Sequence, residues 1–225
     1  MKFSGIQKTS LIDFPNRIAT VLFTPGCNLR CPFCHNWRLV LEPKPPFLNE
    51  ETVFKILDSR RKYVNAIVIT GGEPTMHKDL PLFIKSLKER GFSVKLDTNG
   101  FLPHVLEACL THVEYVALDV KTSLEKYSLL GARGTTDFLR TIEILKNGNV
   151  DYEFRATVVP GFIDAEIIPK IGELVEGGKR FAFQQFVPGD TLNKDFNGIK
   201  PYPPEVIAGF AETMKRYVAE TMLRV

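Results

Sequence analysis

The stretch "IATVLFTPGCNLRCPFCHNW", residues 18–37, joins an apolar run to a loop that holds three of the four cysteines of the chain. The run at 18–23 has the β-branched and aromatic character of a buried strand. The loop behind it places Cys27, Cys31 and Cys34 in a C-x3-C-x2-C spacing. The sequence therefore predicts a strand that carries three thiols at its carboxyl end.

Five more apolar runs of this kind alternate with amphipathic helical patterns. The predicted strands cover residues 66–70, 93–97, 115–119, 152–159 and 181–186. The helical patterns cover residues 49–62, 79–91, 135–148, 164–178 and 203–223. Such alternation predicts a parallel sheet with helices packed outside it. Because six units fall short of the eight of a full barrel, we expect an α/β fold with a partial (β/α)6 barrel, a flat doubly wound sheet being the alternative.

Length and composition bound the function. A chain of 225 residues, 44% hydrophobic, predicts a single domain over residues 1–225. A net charge of +3 gives no indication of nucleic acid or an anionic membrane. We expect no membrane partner, since no run reaches the ~18 apolar residues that span a bilayer. The N-terminal residues lack the pattern of a secretory signal and the cysteines do not form a disulfide framework, so we expect a cytoplasmic protein.

Polar and glycine residues follow the predicted strands, where parallel α/β folds place their functional groups. The second strand leads into "TGGEP", the third ends in "DTNG", the fourth ends in "DVK", and the fifth contains an arginine. The candidate site residues at these positions are Gly71, Gly72, Glu73, Asp97, Asp119, Lys121 and Arg155. We therefore expect a ligand site at this edge of the sheet.

Three thiolates in one loop suit an iron–sulfur cluster or zinc. A structural zinc site needs a fourth ligand, for which His77 in the next loop is a candidate. A disulfide would leave one of the three cysteines over and would need an oxidising compartment. A cubane cluster held by three cysteines leaves one iron open to an outside ligand, which accounts for the missing fourth protein ligand.

The cysteine spacing, with Phe33 before the last cysteine, resembles the signature of radical S-adenosylmethionine (SAM) enzymes, and "GGEP" resembles their methionine-binding motif. "CHN" at 34–36, "DTNG" and "DVK" resemble the activating enzymes of glycyl-radical proteins. Residues 5–37 are similar to the activating proteins of anaerobic ribonucleoside-triphosphate reductases. This resemblance covers most of the chain and becomes weaker after about residue 165.

The resemblance implies two cofactors and a radical mechanism. Cys27, Cys31 and Cys34 would hold one [4Fe–4S] cluster, and the amino and carboxylate groups of SAM would chelate its open iron. One electron would break the S–C5′ bond, and the resulting 5′-deoxyadenosyl radical would abstract a hydrogen from a backbone glycine of a partner protein. The cofactor carries this chemistry, so no catalytic side chain is expected beyond the cluster and SAM.

The resemblance also implies roles for individual residues. Gly71, Gly72 and Glu73 would contact the methionine moiety, and Lys121 would pair with its carboxylate. Asp97 and Asp119 would hold the cofactor, and in some members of the family a monovalent cation beside it. Arg155 would contact a cofactor carboxylate or the ribose. Phe33 would stack on adenine, and His35 and Asn36 would lie on the adenosine side.

Each role has a structural alternative. The glycines suit an ordinary turn with positive φ. The two aspartates suit helix caps or surface positions, and Lys121 suits a solvated strand end. Arg155 lies in an apolar strand and needs an anionic partner, for which an aspartate of the sheet serves as well as a cofactor. Phe33 suits core packing. The fourth cysteine, Cys109, is expected to be a buried, unreactive thiol.

The implied partners are a glycyl-radical enzyme, most specifically anaerobic ribonucleotide reductase, and an electron donor of the flavodoxin or ferredoxin type. Two other functions stay open from the sequence. One is a radical SAM enzyme that acts on a small molecule, similar to a 7-carboxy-7-deazaguanine synthase. The other is a zinc-binding module without catalysis, which leaves "GGEP" and the strand-end carboxylates unexplained.

Overall fold

The computed structural model of the protein describes residues 1–224, which contain ten strands and seven α-helices. The strands are β1 (Lys2–Phe3), β2 (Gly5–Phe14), β3 (Arg17–Thr24), β4 (Leu48–Asn49), β5 (Ala66–Gly71), β6 (Ser93–Thr98), β7 (Tyr115–Asp119), β8 (Asp151–Val158), β9 (Gly178–Gln185) and β10 (Val218–Arg224). The helices are α1 (Trp37–Leu41), α2 (Glu50–Arg60), α3 (Leu80–Glu89), α4 (Pro103–Cys109), α5 (Thr136–Asn147), α6 (Ile167–Leu174) and α7 (Pro204–Met214). All six predicted strands are confirmed. Each of them, β3 and β5–β9, precedes at least one helix in the chain, which gives six strand–helix units.

The chain divides into two compact units, and the prediction of a single domain stays a prediction. The first unit comprises Met1–Asn28, Asn36–Thr98 and Leu102–Val116. Its sheet has the strand order β6-β5-β3-β2, in which β6, β5 and β3 run parallel and β2 pairs antiparallel with β3. Short strands β1 and β4 form a separate antiparallel pair.

The second unit comprises Leu29–His35, Asn99–Phe101 and the chain from Ala117 onward. Its strands β8, β9 and β10 lie side by side and run parallel. The boundary between the units falls inside β7. The six predicted strands, β3 and β5–β9, are largely buried, as the near-continuous apolar runs predict for parallel sheets covered by helices.

Local sequence explains where the helices begin. Asn49 caps α2, its side-chain oxygen accepting a hydrogen bond from the Thr52 amide at 2.9 Å. In α6, Pro169 lies in the first turn. Backbone N–H groups in a first turn have no hydrogen-bond partner within the helix, so the missing N–H group of proline costs no hydrogen bond there. None of the helices within residues 1–224 is both long enough and apolar enough to cross a membrane.

Four of the ten strands, β1, β2, β4 and β10, fall outside the six that were predicted. The prediction that residues 203–223 form one helix is wrong, because α7 ends at Met214 and the chain then enters β10. The predicted strands also omit β2, which is mostly exposed and has few of the apolar residues that mark a buried strand. The helix predicted over 164–178 is shorter than expected, Ile167–Leu174.

A charge pair connects β8 to β10 in the second unit. The Glu153 carboxylate is fully buried and accepts hydrogen bonds from both terminal nitrogens of Arg224, at 2.8 and 2.6 Å. A two-point contact of this kind is among the stronger hydrogen-bonded ion pairs. The contact allows β8 to bury a carboxylate whose isolated burial would be costly.

We expect Arg224→Met to lower the free energy of unfolding by roughly 2 kcal/mol, because it leaves the buried Glu153 carboxylate without its cation. The value is measured by urea unfolding of the metal-free protein. Lys215→Met removes an exposed ion pair with Glu212 and should change stability by less than about 0.5 kcal/mol. The double variant Glu153→Leu/Arg224→Met should recover most of the loss, and equal stability of Arg224→Met and the wild type would contradict the assignment.

Candidate functional site

The N-terminal part of the cysteine loop, residues 25–27, belongs to the first unit and is held by backbone contacts. The Gly26 amide donates to the Leu39 carbonyl at 2.8 Å, and Cys27, next in the chain, is half-buried. The Nε2 atom of His77 lies 3.0 Å from the Pro25 carbonyl oxygen. His77, considered above as a fourth zinc ligand, therefore has a hydrogen-bond partner in the loop backbone.

The glycine motif, residues 71–73, packs directly against the N-terminal part of the cysteine loop. The Gly72 amide donates to the Thr24 carbonyl at 2.9 Å, and the Glu73 amide donates to the Gly26 carbonyl at 2.8 Å. A Cβ atom on Gly72 would lie only 1.8 Å from the Gly26 oxygen. Gly71 has a φ of +111°, a backbone conformation that favours glycine. Both glycines are thus explained by the close approach of two backbones.

The Glu73 carboxylate is buried and highly constrained. One of its oxygens accepts hydrogen bonds from the Thr75 amide at 3.0 Å, the Thr75 hydroxyl at 2.5 Å and the Thr98 hydroxyl at 2.8 Å. Asn36 fixes the preceding part of the motif, since its side-chain amide donates to the Gly71 carbonyl at 2.9 Å. These contacts hold the carboxylate in one orientation in a site shielded from water.

Asp97 lies in β6 beside a charged residue that the sequence analysis did not single out. Lys95 is only 2% exposed, and its ammonium donates to the Asp97 carboxylate. The two side chains stand two positions apart and therefore point to the same face of the strand. The pattern Lys-x-Asp within the apolar run 93–97 is the sequence signal that could have identified this buried ion pair.

The second half of the cysteine loop belongs to the second unit. The Cys34 amide donates to the Cys31 carbonyl at 3.1 Å, which closes a tight turn around Pro32. The segment that follows β9 binds this turn, with the Asn193 amide donating to the Pro32 carbonyl at 2.8 Å and the Leu192 amide to the Cys34 carbonyl at 3.1 Å. Cys31 is buried and Cys34 is half-buried.

The two other candidates from this loop contact side chains and backbone of the second unit. The Phe33 ring packs edge-on against Phe162, with centroids 5.0 Å apart, and lies 6.2 Å from the Phe196 centroid. The His35 Nε2 atom lies 2.9 Å from the Val187 carbonyl oxygen. Phe33 thus joins an aromatic cluster, and a contact of either residue with adenosine stays a prediction.

Asp119, Lys121 and Arg155 form one charged group at the carboxyl end of β7. Arg155 Nε donates to one Asp119 oxygen at 2.7 Å, and Lys121 Nζ donates to the other at 3.0 Å. Burial alone would raise the pKa of Asp119, but the cations Arg155 and Lys121 outweigh it and hold that pKa well below its usual range. The anionic partner that Arg155 needs is therefore an aspartate of the sheet.

The pKa of Lys121 is displaced in the opposite direction. Burial would lower it, but the negative charges of Asp119 and then Cys31 raise it above its usual value. Lys121 is therefore a permanent cation close to one of the three cysteines. Its backbone amide donates to the hydroxyl oxygen of Tyr127 at 3.0 Å, a buried residue that the sequence analysis did not identify.

The donor set of the loop fits an iron–sulfur cluster. All four cysteines are present as thiols, and Cys109 is fully buried in α4, where burial raises the pKa of its thiol to about 12. The prediction of a buried Cys109 is thus confirmed. Within residues 1–224, no three His, Cys, Asp or Glu side chains are arranged to hold one metal ion together. A cubane cluster makes a different demand, because each thiolate binds a separate iron.

We expect Gly72→Ala to disrupt the contact between the glycine motif and Gly26, because the new methyl group would overlap a backbone oxygen. The free energy of unfolding of the metal-free protein should fall by roughly 2 kcal/mol or more, and iron uptake on anaerobic reconstitution should fall with it. Gly134→Ala is the matched control, since a Cβ atom there meets nothing within 4 Å. Iron content and stability equal to those of the control would contradict this explanation of Gly72.

We expect Asp119→Asn to destabilise the metal-free protein at neutral pH by roughly 1–3 kcal/mol, because it removes the anion between Arg155 and Lys121. The folded pKa of Asp119 lies below the unfolded value of about 3.9, so this stabilisation is complete above that value and declines as pH falls towards the folded pKa. Urea unfolding at pH 7 and pH 3 should therefore show a gap between variant and wild type that narrows in acid. The exposed Asp195→Asn is the control, and a gap that widens in acid would contradict the assignment.

Comparisons with known proteins agree with the motifs. The model of the radical SAM superfamily matches residues 21–171. A Methanocaldococcus jannaschii protein named as a glycyl-radical enzyme activating enzyme is 37% identical over 98% of this chain and 95% of its own length. The pyruvate formate-lyase-activating enzyme of Clostridium pasteurianum is 29% identical over 85% of this chain and 83% of its own.

A solved structure extends the likeness to the whole fold. The crystal structure of QueE from Escherichia coli superposes with a TM-score of 0.63 at 17% identity, covering 100% of this chain and 93% of that one. This likeness and the family match confirm the predicted α/β fold of the radical SAM type. The family is defined by a [4Fe–4S] cluster and SAM, the two cofactors to which the cysteine loop and glycine motif pointed. The chain belongs to the radical SAM superfamily of enzymes.

Proposed function

We propose that this protein is a radical SAM activase that generates a glycyl radical on a partner enzyme. The observation that carries the proposal is the 37% identity, over nearly the full length of both chains, to a protein named as a glycyl-radical enzyme activating enzyme. The similarity to a pyruvate formate-lyase-activating enzyme supports the same reaction class. The motifs "CHN", "DTNG" and "DVK" point in the same direction.

Cys27, Cys31 and Cys34 would hold the cluster, whose chemistry when SAM is bound is one-electron cleavage of a carbon–sulfur bond. The turn between Cys31 and Cys34 presents two thiols from a backbone fixed by the segment 192–193. The Gly26 contact with Glu73 fixes the backbone directly before Cys27. These contacts would reduce the conformational entropy that the loop loses when it binds a cluster.

The glycine motif and the charged group would orient SAM. Gly71 and Gly72 would contact the methionine moiety through their backbone atoms, and Glu73 would accept from its ammonium group. The three side chains of Asp119, Lys121 and Arg155 carry one net positive charge, which favours an incoming carboxylate. In this role Lys121 would bind the methionine carboxylate while Asp119 holds both cations in position.

The remaining candidates would act on the adenosine side. Phe33 would offer the face of its ring to adenine from within its aromatic cluster, and His35 would lie next to it in the chain. Asp97 would hold the cofactor or a monovalent cation beside it. The ion pair with Lys95 argues for a positioning role of Asp97, since an added cation would have to compete with the lysine.

The proposed partner is an anaerobic ribonucleoside-triphosphate reductase. Support comes from the similarity of residues 5–37 to the activating proteins of those reductases. The electron would come from a flavodoxin or ferredoxin-type donor, since reduction of the cluster requires a single electron at low potential. This assignment places the protein in the cytoplasm.

The proposal is tested by anaerobic reconstitution with iron and sulfide, followed by dithionite reduction in the presence of SAM. We expect 5′-deoxyadenosine release from the wild type and loss of at least 100-fold in Cys31→Ala. Cys109→Ala is the matched control, because it removes a buried thiol outside the loop and should keep its iron content and 5′-deoxyadenosine release. Uptake of zinc alone, without 5′-deoxyadenosine, would refute the enzyme assignment.

The partner is tested in a second step by electron paramagnetic resonance. Purified reductase is mixed with the reconstituted protein, SAM and dithionite, and a glycyl-radical signal is expected. Replacing the radical-bearing glycine of the reductase by alanine should abolish the signal. A signal on pyruvate formate-lyase but none on the reductase would keep the activase function and overturn the partner.

A further inference from the structure

Within the second unit, residues 187–198 lie against the second half of the cysteine loop, and we call this segment the strap. The Leu192 amide donates to the Cys34 carbonyl oxygen at 3.1 Å, and the Asn193 amide donates to the Pro32 carbonyl oxygen at 2.8 Å. Two neighbouring amides of the strap therefore hold two carbonyl groups of the turn that presents the second and third thiols of the loop.

The strap has two further contacts near this turn. Its Val187 carbonyl oxygen lies 2.9 Å from Nε2 of His35. Its Phe196 ring lies 6.2 Å from the Phe33 ring and 6.0 Å from the Phe162 ring, measured between centroids. Residues 187–193 belong to no helix or strand, so the direction of the two donating amides depends on local side-chain contacts.

Thr191, directly before the two donating amides, supplies these local contacts. It is only 2% exposed. Its hydroxyl lies 2.8 Å from both the Asn193 carbonyl oxygen and the Asn197 side-chain oxygen, and its amide donates to the same Asn197 oxygen at 3.1 Å. The Asn193 side chain accepts from the Asp195 amide at 3.0 Å and caps the 3-10 helix Lys194–Gly198. Thr191 and Asn197 thus close a small loop around the two donors.

An iron–sulfur cluster places a strict demand on the turn that the strap holds. The thiolates of Cys31 and Cys34 must reach two separate irons of one rigid cubane. Freedom of the backbone between them would add to the conformational entropy lost when the cluster binds. Loss of a group that orients metal ligands from outside typically lowers metal affinity roughly 10- to 100-fold.

We propose that Thr191 is a positioning residue for the iron–sulfur cluster. Together with Asn197 it fixes the strap, whose amides hold the turn between Cys31 and Cys34 in the conformation that binds the cluster. The Thr191 hydroxyl acts through the backbone of the strap and not on the cluster itself. This inference rests on the proposed function only through the assignment of the cluster to the three cysteines, and it is independent of the partner enzyme.

The first test uses the metal-free protein. Thr191→Val removes the hydroxyl and keeps the size of the side chain. Amide hydrogen exchange, measured by mass spectrometry, should become about fivefold faster in peptides covering residues 29–36, as expected when one hydrogen bond that holds the strap is lost. Exchange of these peptides at the wild-type rate would overturn the proposal.

Thr141→Val is the matched control for this substitution. Thr141 is fully buried in the same unit, and its hydroxyl donates to the Gly100 carbonyl at 2.7 Å. Neither residue belongs to the strap or to the cysteine loop. The control should lose a comparable hydrogen bond without faster exchange of residues 29–36, and an equal increase in both variants would reduce the effect to general destabilisation and overturn the proposal.

The second test measures how tightly the reconstituted cluster is held. Iron release to an excess of chelator should be about tenfold faster in Thr191→Val than in the wild type. Thr191→Ser keeps the hydroxyl and loses only a methyl group, so its release rate should stay close to that of the wild type. Release as fast in the serine variant as in the valine variant would show that the hydroxyl is not responsible.

A second pair of variants covers the case in which Thr191→Val does not fold. Asn197 is exposed, so Asn197→Leu removes the oxygen that accepts from Thr191 without emptying a buried site. It should accelerate iron release in the same way, whereas Asn197→Asp keeps an acceptor oxygen and should not. Equal rates in this pair would overturn the proposal. Failure of the wild type itself to form a cluster would refute the cofactor assignment instead, while the hydrogen-exchange result would still decide whether Thr191 fixes the turn.

Discussion

The close contact between the backbones of Gly26 and Gly72 is the constraint on which the organisation of the first unit depends. A carbonyl oxygen of the cysteine loop occupies the space that any side chain at position 72 would need. The same oxygen accepts the amide of Glu73, so the loop and the motif "GGEP" are fixed to each other without an intervening side chain. A motif described as a methionine-binding sequence is thus first a packing requirement. The same motif holds its carboxylate in place through two threonines.

In the second unit, the candidate site residues Asp119, Lys121 and Arg155 are held together by ion pairs. Asp119 receives two cations, and the pKa shifts of Asp119 and Lys121 keep both of these groups ionised across the physiological range. An ion pair with an extra cation is a poor way to gain stability, because desolvation offsets most of the attraction. A cation that is already desolvated and oriented is, however, well suited to bind an anion. The excess of cations in the charged group is thus the physical basis of its proposed role in ligand binding.

The sequence predicted the six strands that carry the motifs, because each is a short apolar run with a clear end. The prediction failed where the apolar spacing of a helix continues into the strand that follows it. Val218 continues the apolar stripe of α7 one turn beyond Met214, so the pattern alone could not show that the chain turns at 215–217 and starts β10. The strand β2 was missed for the opposite reason, since its polar, exposed residues lack a buried face. Tyr127 could not be identified from the sequence, because its contact with the charged group is a hydrogen bond from the backbone amide of Lys121, six positions earlier in the chain.

The two aspartates that looked equivalent in the sequence differ in the structure. Each forms a pair with a lysine two positions away, Lys95 with Asp97 and Lys121 with Asp119, in opposite chain order. The Lys95 pair is almost completely buried within one strand and balances its own charge. The Lys121 pair is partly exposed, and its Asp119 contacts Arg155 in addition. Burial and the second cation thus distinguish the two pairs, and spacing in the sequence could not have done so.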